Sequence, residues 1–138
     1  MTSTVMPSAK IAEAEVVDRF EQGLGPDGSF HHADHVRLAF AYLSLYPPLE
    51  ALSRFVDALK RFADERRKPQ LFHETITYAY FFLIRERMAR VPAAGWERFA
   101  ESNPDLLVWR GGILSRYYRE ITLQSDFARS LFVFPDKF

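Results

Sequence analysis

The sequence predicts an all-α fold: one helical bundle of about five to seven helices over residues 1–138, with residues 1–7 expected to be disordered. Three observations predict it. Proline and glycine divide the chain into segments of helical length. Apolar residues inside each segment recur at three- and four-residue spacing instead of alternating. The composition, 48% apolar and 26% charged, is that of an ordinary soluble domain. At 138 residues such a chain buries enough surface to fold without a metal or a disulfide.

Taken in order, Ser8 is expected to cap a first helix reaching about residue 22, with Ile11, Val17 and Phe20 on one stripe and Gly23, Gly25 and Pro26 ending it. Asp27 or Ser29 is expected to cap a second helix that continues to Tyr46, where Pro47 and Pro48 stop it because proline has no amide donor. A third begins near Pro48 and reaches about Arg67, with Leu52, Phe55, Val56, Leu59 and Phe62 facing inward. A fourth covers roughly residues 71 to 90 and is closed by Pro92. Residues 94 to 101 predict a short helix, Asn103-Pro104 a break, and Gly111-Gly112 a hinge before a helix over about residues 113 to 123. Ser125 then caps a last turn through Phe132.

The second and fourth helices differ from the others. Val36, Leu38, Ala39, Phe40, Tyr42, Leu43, Leu45 and Tyr46 leave almost no polar face, and residues 76 to 84 do the same. Helices apolar all round are buried ones. Short connections favour antiparallel neighbours, so the second and fourth are expected to be central and parallel to each other.

Composition narrows the chemistry. Eighteen Lys and Arg balance eighteen Asp and Glu, which removes the footprint of a general nucleic-acid binder. With no cysteine, thiolate nucleophiles, Cys-zinc sites, iron–sulfur clusters and disulfides are excluded. The first ten residues lack a secretory pattern and the longest apolar stretch has nine residues, so a cytoplasmic protein with no membrane partner is expected.

All four histidines lie near the starts of the two central helices: His31, His32 and His35 on the second, His73 on the fourth. If those helices are parallel, their first turns share one end of the bundle. His32 or His35 then stands level with His73 and Glu74. Residues three or four apart share a helix face, so either His32 or His31 can converge with His35. His73 and Glu74 point about 100° apart, so one of them faces the shared site directly.

Three uses of this cluster compete. One is a divalent zinc or non-haem iron ion held by His32, His35, His73 and Glu74, a ligand set both metals favour. A second is metal-free acid/base catalysis by His35, His73 and Glu74, with helix N-termini keeping the imidazoles neutral. The third is structural: histidines that satisfy buried helix ends. Thr75 and Thr77, Tyr78, Tyr80, Tyr117 and Tyr118, and Arg110 before the glycine pair are weaker candidates for a pocket, each with a simpler packing or solvation role. No P-loop, Gly-x-Gly-x-x-Gly, Gly-x-Ser-x-Gly or His-Glu-x-x-His pattern occurs.

In Phe30-His31-His32-Ala33-Asp34-His35-Val36 and Phe72-His73-Glu74-Thr75-Ile76-Thr77 the chain resembles an uncharacterised family of short bacterial helical proteins. These carry aromatic-x-His-x-x-His and aromatic-His-x-Thr-hydrophobic-Thr elements. The closing Ser125-Asp126-Phe127-Ala128-Arg129 and Pro135-Asp136 are similar to that family's ending. The resemblance implies that His32 and His35, not His31, are the paired histidines and that His73 is the single one; it implies no reaction. The expectation is an enzyme acting on a small organic substrate, through a metal or through imidazole acid/base chemistry. The alternative is a non-catalytic ligand-binding or interaction protein whose aromatic pocket holds an apolar compound.

Overall fold

A computed structural model describes residues 8–24, 30–92 and 95–137. Among them the chain is all-α, forming one helical bundle. Its α-helices are α1 (Ser8–Glu21), α2 (His32–Leu45), α3 (Pro48–Glu65), α4 (Glu74–Arg90), α5 (Trp96–Ser102), α6 (Glu120–Leu123) and α7 (Asp126–Ser130), with 3-10 turns at Pro69–Leu71, Pro104–Leu107 and Ile113–Arg116. No helix among the described residues is long and apolar enough to cross a membrane. The disorder expected for residues 1–7 and the start of the short helix at residue 94 fall outside the described residues, as do Asp27 and Ser29; neither of these two caps the second helix, because α2 begins at His32 with His31 at the N-cap position.

The centre is α2, whose Val36, Leu38, Ala39, Phe40, Ala41 and Tyr42 are all buried. It is covered by α1, α3 and α4. Proline at the first position of α3 costs no hydrogen bond, and the expected inward stripe is present: Phe55, Val56, Leu59 and Phe62 are buried and Leu52 packs on the core. The helices α2 and α3 run antiparallel, with Phe30 against Phe62 at one end and the Arg54 guanidinium over the Tyr46 ring at the other.

Two markers fix the direction of α4. Near the start of α2, the His32 ring lies 4.5 Å from that of Tyr80. Farther along, Phe40 packs on Phe99, whose carbonyl accepts from Asn103, and Asn103 in turn accepts from Arg87 near the end of α4. Thus α2 and α4 are parallel. Their stagger differs from the expected one: the first turn of α2 sits beside the middle of α4, seven residues beyond His73, about 10 Å along the axis.

Other expectations need correction. Helix α4 starts at Glu74, not near residue 71, because Pro69 opens a 3-10 turn and the His73 side chain takes the Ile76 amide as a cap. Nor is α4 buried all round, since Phe82 is 43% exposed. On α1, Ser8 is the first helical residue, and Ile11 points outward while Glu13 is buried, drawn in by its ion pair with Arg37 of α2. The continuous helix expected over residues 113 to 123 is broken by the C-terminal tail. The Tyr117 carbonyl accepts from the Asp136 and Lys137 amides, while the Asp136 carboxylate takes the Arg119 amide and the Thr122 hydroxyl. Those backbone groups are thereby lost to a helical ladder. At the last turn Ser125 caps α7 as expected, accepting from the Ala128 amide.

Candidate functional site

The structure brings together two of the predicted site residues and separates the others. His32 and His35 stand one turn apart on α2 with ring centroids 6.4 Å apart. His73, two turns down α4 from the level of His32, belongs to a different neighbourhood. Among the described residues no three His, Asp or Glu side chains gather as metal ligands, so His32, His35, His73 and Glu74 do not form the single donor set expected for zinc or iron.

His73 is the N-cap of α4. Its Nδ1 accepts from the Ile76 amide at 3.1 Å and its Nε2–H donates to the Leu123 carbonyl at 2.7 Å. Both ring nitrogens are satisfied, which fixes the neutral tautomer and joins the start of α4 to α6. Burial pulls the imidazole below its ordinary range, against the Leu123 hydrogen bond. Next to it Glu74 is the first residue of α4, and its charge helps raise the Tyr78 phenol after burial has done so. Thr75 is fully buried and also structural: its hydroxyl donates to the Leu131 carbonyl and accepts from the Val133 amide. His31, exposed at the N-cap position of α2, donates its amide to the Asp34 carboxylate.

The pair on α2 is different. His32 donates from Nε2 to the Leu106 carbonyl at 2.8 Å, which in the neutral ring leaves Nδ1 with a free lone pair. Burial lowers its pKa, opposed by that hydrogen bond. His35 is more deeply placed: its Nε2 is sealed from solvent and has no hydrogen-bond partner. Burial, reinforced by the nearby His32, pushes its pKa down to about 3, so the ring is neutral at physiological pH.

Aromatic rings enclose the pair. Phe55 meets His35 edge-on at 5.2 Å and Phe30 lies 6.4 Å from it, while Tyr80 and Trp109 flank His32 at 4.5 and 5.2 Å. Tyr80 is buried, and burial together with the charge of Asp105 pushes its phenol up to about 12. Trp109 is 55% exposed. It opens a turn closed by the Gly112 amide on the Trp109 carbonyl. Gly111 has φ +61°, and a Cβ on Gly112 would come within 2.9 Å of the Tyr80 hydroxyl and 2.6 Å of the Val108 carbonyl. The glycine pair is therefore what lets this turn close over Tyr80.

Sequence reasoning did not single out Trp109, Phe55 or the Leu106 carbonyl for the site. A tryptophan directly before the Arg110-Gly111-Gly112 hinge was the available signal for the first; no signal placed the other two.

No family model matches the chain, and no solved structure matches it. Over 124 residues it is 28% identical to Carboxypeptidase Y homolog A of Aspergillus niger, a match covering 85% of this chain and 22% of that protein. The chain thus spans about a fifth of the length of the curated relative it matches.

Proposed function

We propose that the chain is a small-molecule enzyme whose site is the His32–His35 pair, with His32 as the proton acceptor and His35 as a hydrogen-bonding partner of the substrate. The observation that carries the reading is the buried, unpartnered Nε2 of His35 beside an imidazole whose other nitrogen is already anchored. Leaving a buried polar group unpaired costs about 1–3 kcal/mol. Such groups mark places where something other than packing is served. Anchoring Nε2–H on a backbone carbonyl holds the His32 ring in the tautomer whose Nδ1 can take a proton, a common preparation of a general base. The carboxypeptidase activity named for the fungal relative is not carried into this reading, since the match covers 22% of that protein.

The test is a proton abstraction that needs no cofactor. The probe 5-nitrobenzisoxazole is flat and uncharged. Transfer of its ring C–H proton to Nδ1 of His32, as the N–O bond breaks, yields 2-cyano-4-nitrophenolate. The rate is expected to saturate with probe, to rise with pH through an apparent pKa below the ordinary 6.5 of histidine, and to fall about a hundredfold in His32→Gln but not in His73→Gln. Equal rates in the wild type and His32→Gln overturn the catalytic reading.

A further inference from the structure

The surroundings of the two imidazoles also specify what they would hold, an argument that rests on the reading of His32 and His35 as the ligand site. A neutral ring with Nε2–H committed to Leu106 offers a lone pair on Nδ1, so His32 asks for a donor. The Nε2 of His35 asks for an acceptor or a donor according to its tautomer. A hydroxyl group answers both, because one O–H donates and the same oxygen accepts. The two rings stand on neighbouring turns of α2, with centroids 6.4 Å apart.

Charge argues in the same direction. Among the described residues His32 is the one ionisable group acting on His35. The ion pair of Arg87 with Asp105, whose charge acts on Tyr80, is already closed on itself. A carboxylate or phosphate moved between two neutral imidazoles and aromatic walls would lose its hydration with no cation to replace it. The walls themselves, Phe30, Phe55 and the half-exposed Trp109, suit a flat apolar body.

We infer that the site takes an uncharged aromatic compound bearing a hydroxyl group, the hydroxyl bridging His32 and His35 and the ring lying under Trp109. The experiment uses the full chain carrying Trp96→Phe, so that Trp109 is the one tryptophan reporter. Trp96 packs on Phe40 and Phe99 away from the histidines, and phenylalanine keeps a ring there. Three probes are titrated at pH 7 against Trp109 fluorescence and against the imidazole signals in nitrogen-correlated NMR: 4-ethylphenol, ethylbenzene and 4-ethylbenzoate.

The expected order is 4-ethylphenol tightest, ethylbenzene at least tenfold weaker and 4-ethylbenzoate weakest, with the phenol's advantage over ethylbenzene lost in His35→Phe. Benzoate binding as tightly as the phenol overturns the proposed class, as does a phenol preference that survives His35→Phe. The site reading stands in both cases if the His32 signals still move. If none of the three probes moves Trp109 or the His32 signals, the site reading itself fails and the inference fails with it.

Discussion

Two helix starts in this molecule carry histidines, and they use them in opposite ways. At the head of α4, His73 spends both nitrogens on the backbone, one on its own first turn and one on a carbonyl fifty residues away. At the head of α2, His32 spends one nitrogen and His35 leaves its buried Nε2 unspent. Residue type and position on a helix therefore do not distinguish a cap from a site. Satisfaction of each nitrogen does.

Substitutions that strike the two ends should diverge, and the largest effect is expected at His73. Replacing it with alanine removes a cap worth about 1 kcal/mol and leaves the Leu123 carbonyl without its donor, for a total loss of about 3 kcal/mol by urea unfolding. Probe binding per folded molecule should be unchanged. His73→Asn, which keeps a capping oxygen, should recover about 1 kcal/mol of that. Loss of binding with stability intact would erase the contrast between the two ends.

Next in size is Thr75→Val, which keeps the shape but deprives the Leu131 carbonyl and the Val133 amide of their partner. It is expected to cost about 2 kcal/mol and to lower the melting temperature by several degrees.

A pH-dependent effect, nearly absent at pH 7 and growing as the solution is acidified, is expected from His35. Unfolded, the ring protonates near 6.5; folded, only near 3, so between those values the unfolded chain binds more protons and stability falls as pH falls. Asp105 and Asp136, held below the usual carboxylate range by hydrogen bonds from Arg87 and Thr122, add their loss at more acid pH. In His35→Phe the decline in melting temperature between about pH 6.5 and 4 should flatten. An unchanged profile would place the buried group elsewhere.

The smallest effect is the stability of His35→Phe itself at pH 7, expected within about 1 kcal/mol of wild type, because an apolar ring replaces an unpaired polar one. A cost as large as that of His73→Ala would show that His35 is a structural residue after all.

Much of the bundle was legible because proline and apolar spacing act locally. The α3 stripe from Leu52 to Phe62, the stop at Tyr46 and the Ser125 cap all depend on neighbours within a few residues. What could not be read depends on partners far along the chain. The stagger of α2 against α4 follows side-chain packing around Tyr80, whereas local patterns alone set His73 level with His32. The break at Tyr118 follows from a tail segment arriving some twenty residues later to claim backbone groups that the local pattern assigns to a helix. Half of the candidate site was visible in His32 and His35. Its walls were not, because Phe55 and Trp109 come from elements whose approach no local pattern encodes.

The fastening of the C-terminal segment sets the order in which the molecule can assemble. Its ties, His73 to Leu123, Thr75 to Leu131 and Val133, and Arg129 to the Gln70 carbonyl, close loops of 50 to 59 residues. Such closures come late, once the head of α4 exists as a template. The last quarter of the chain is thus a strap laid over a finished hairpin of helices, and its slowest-exchanging amides should be released together when that single buckle opens.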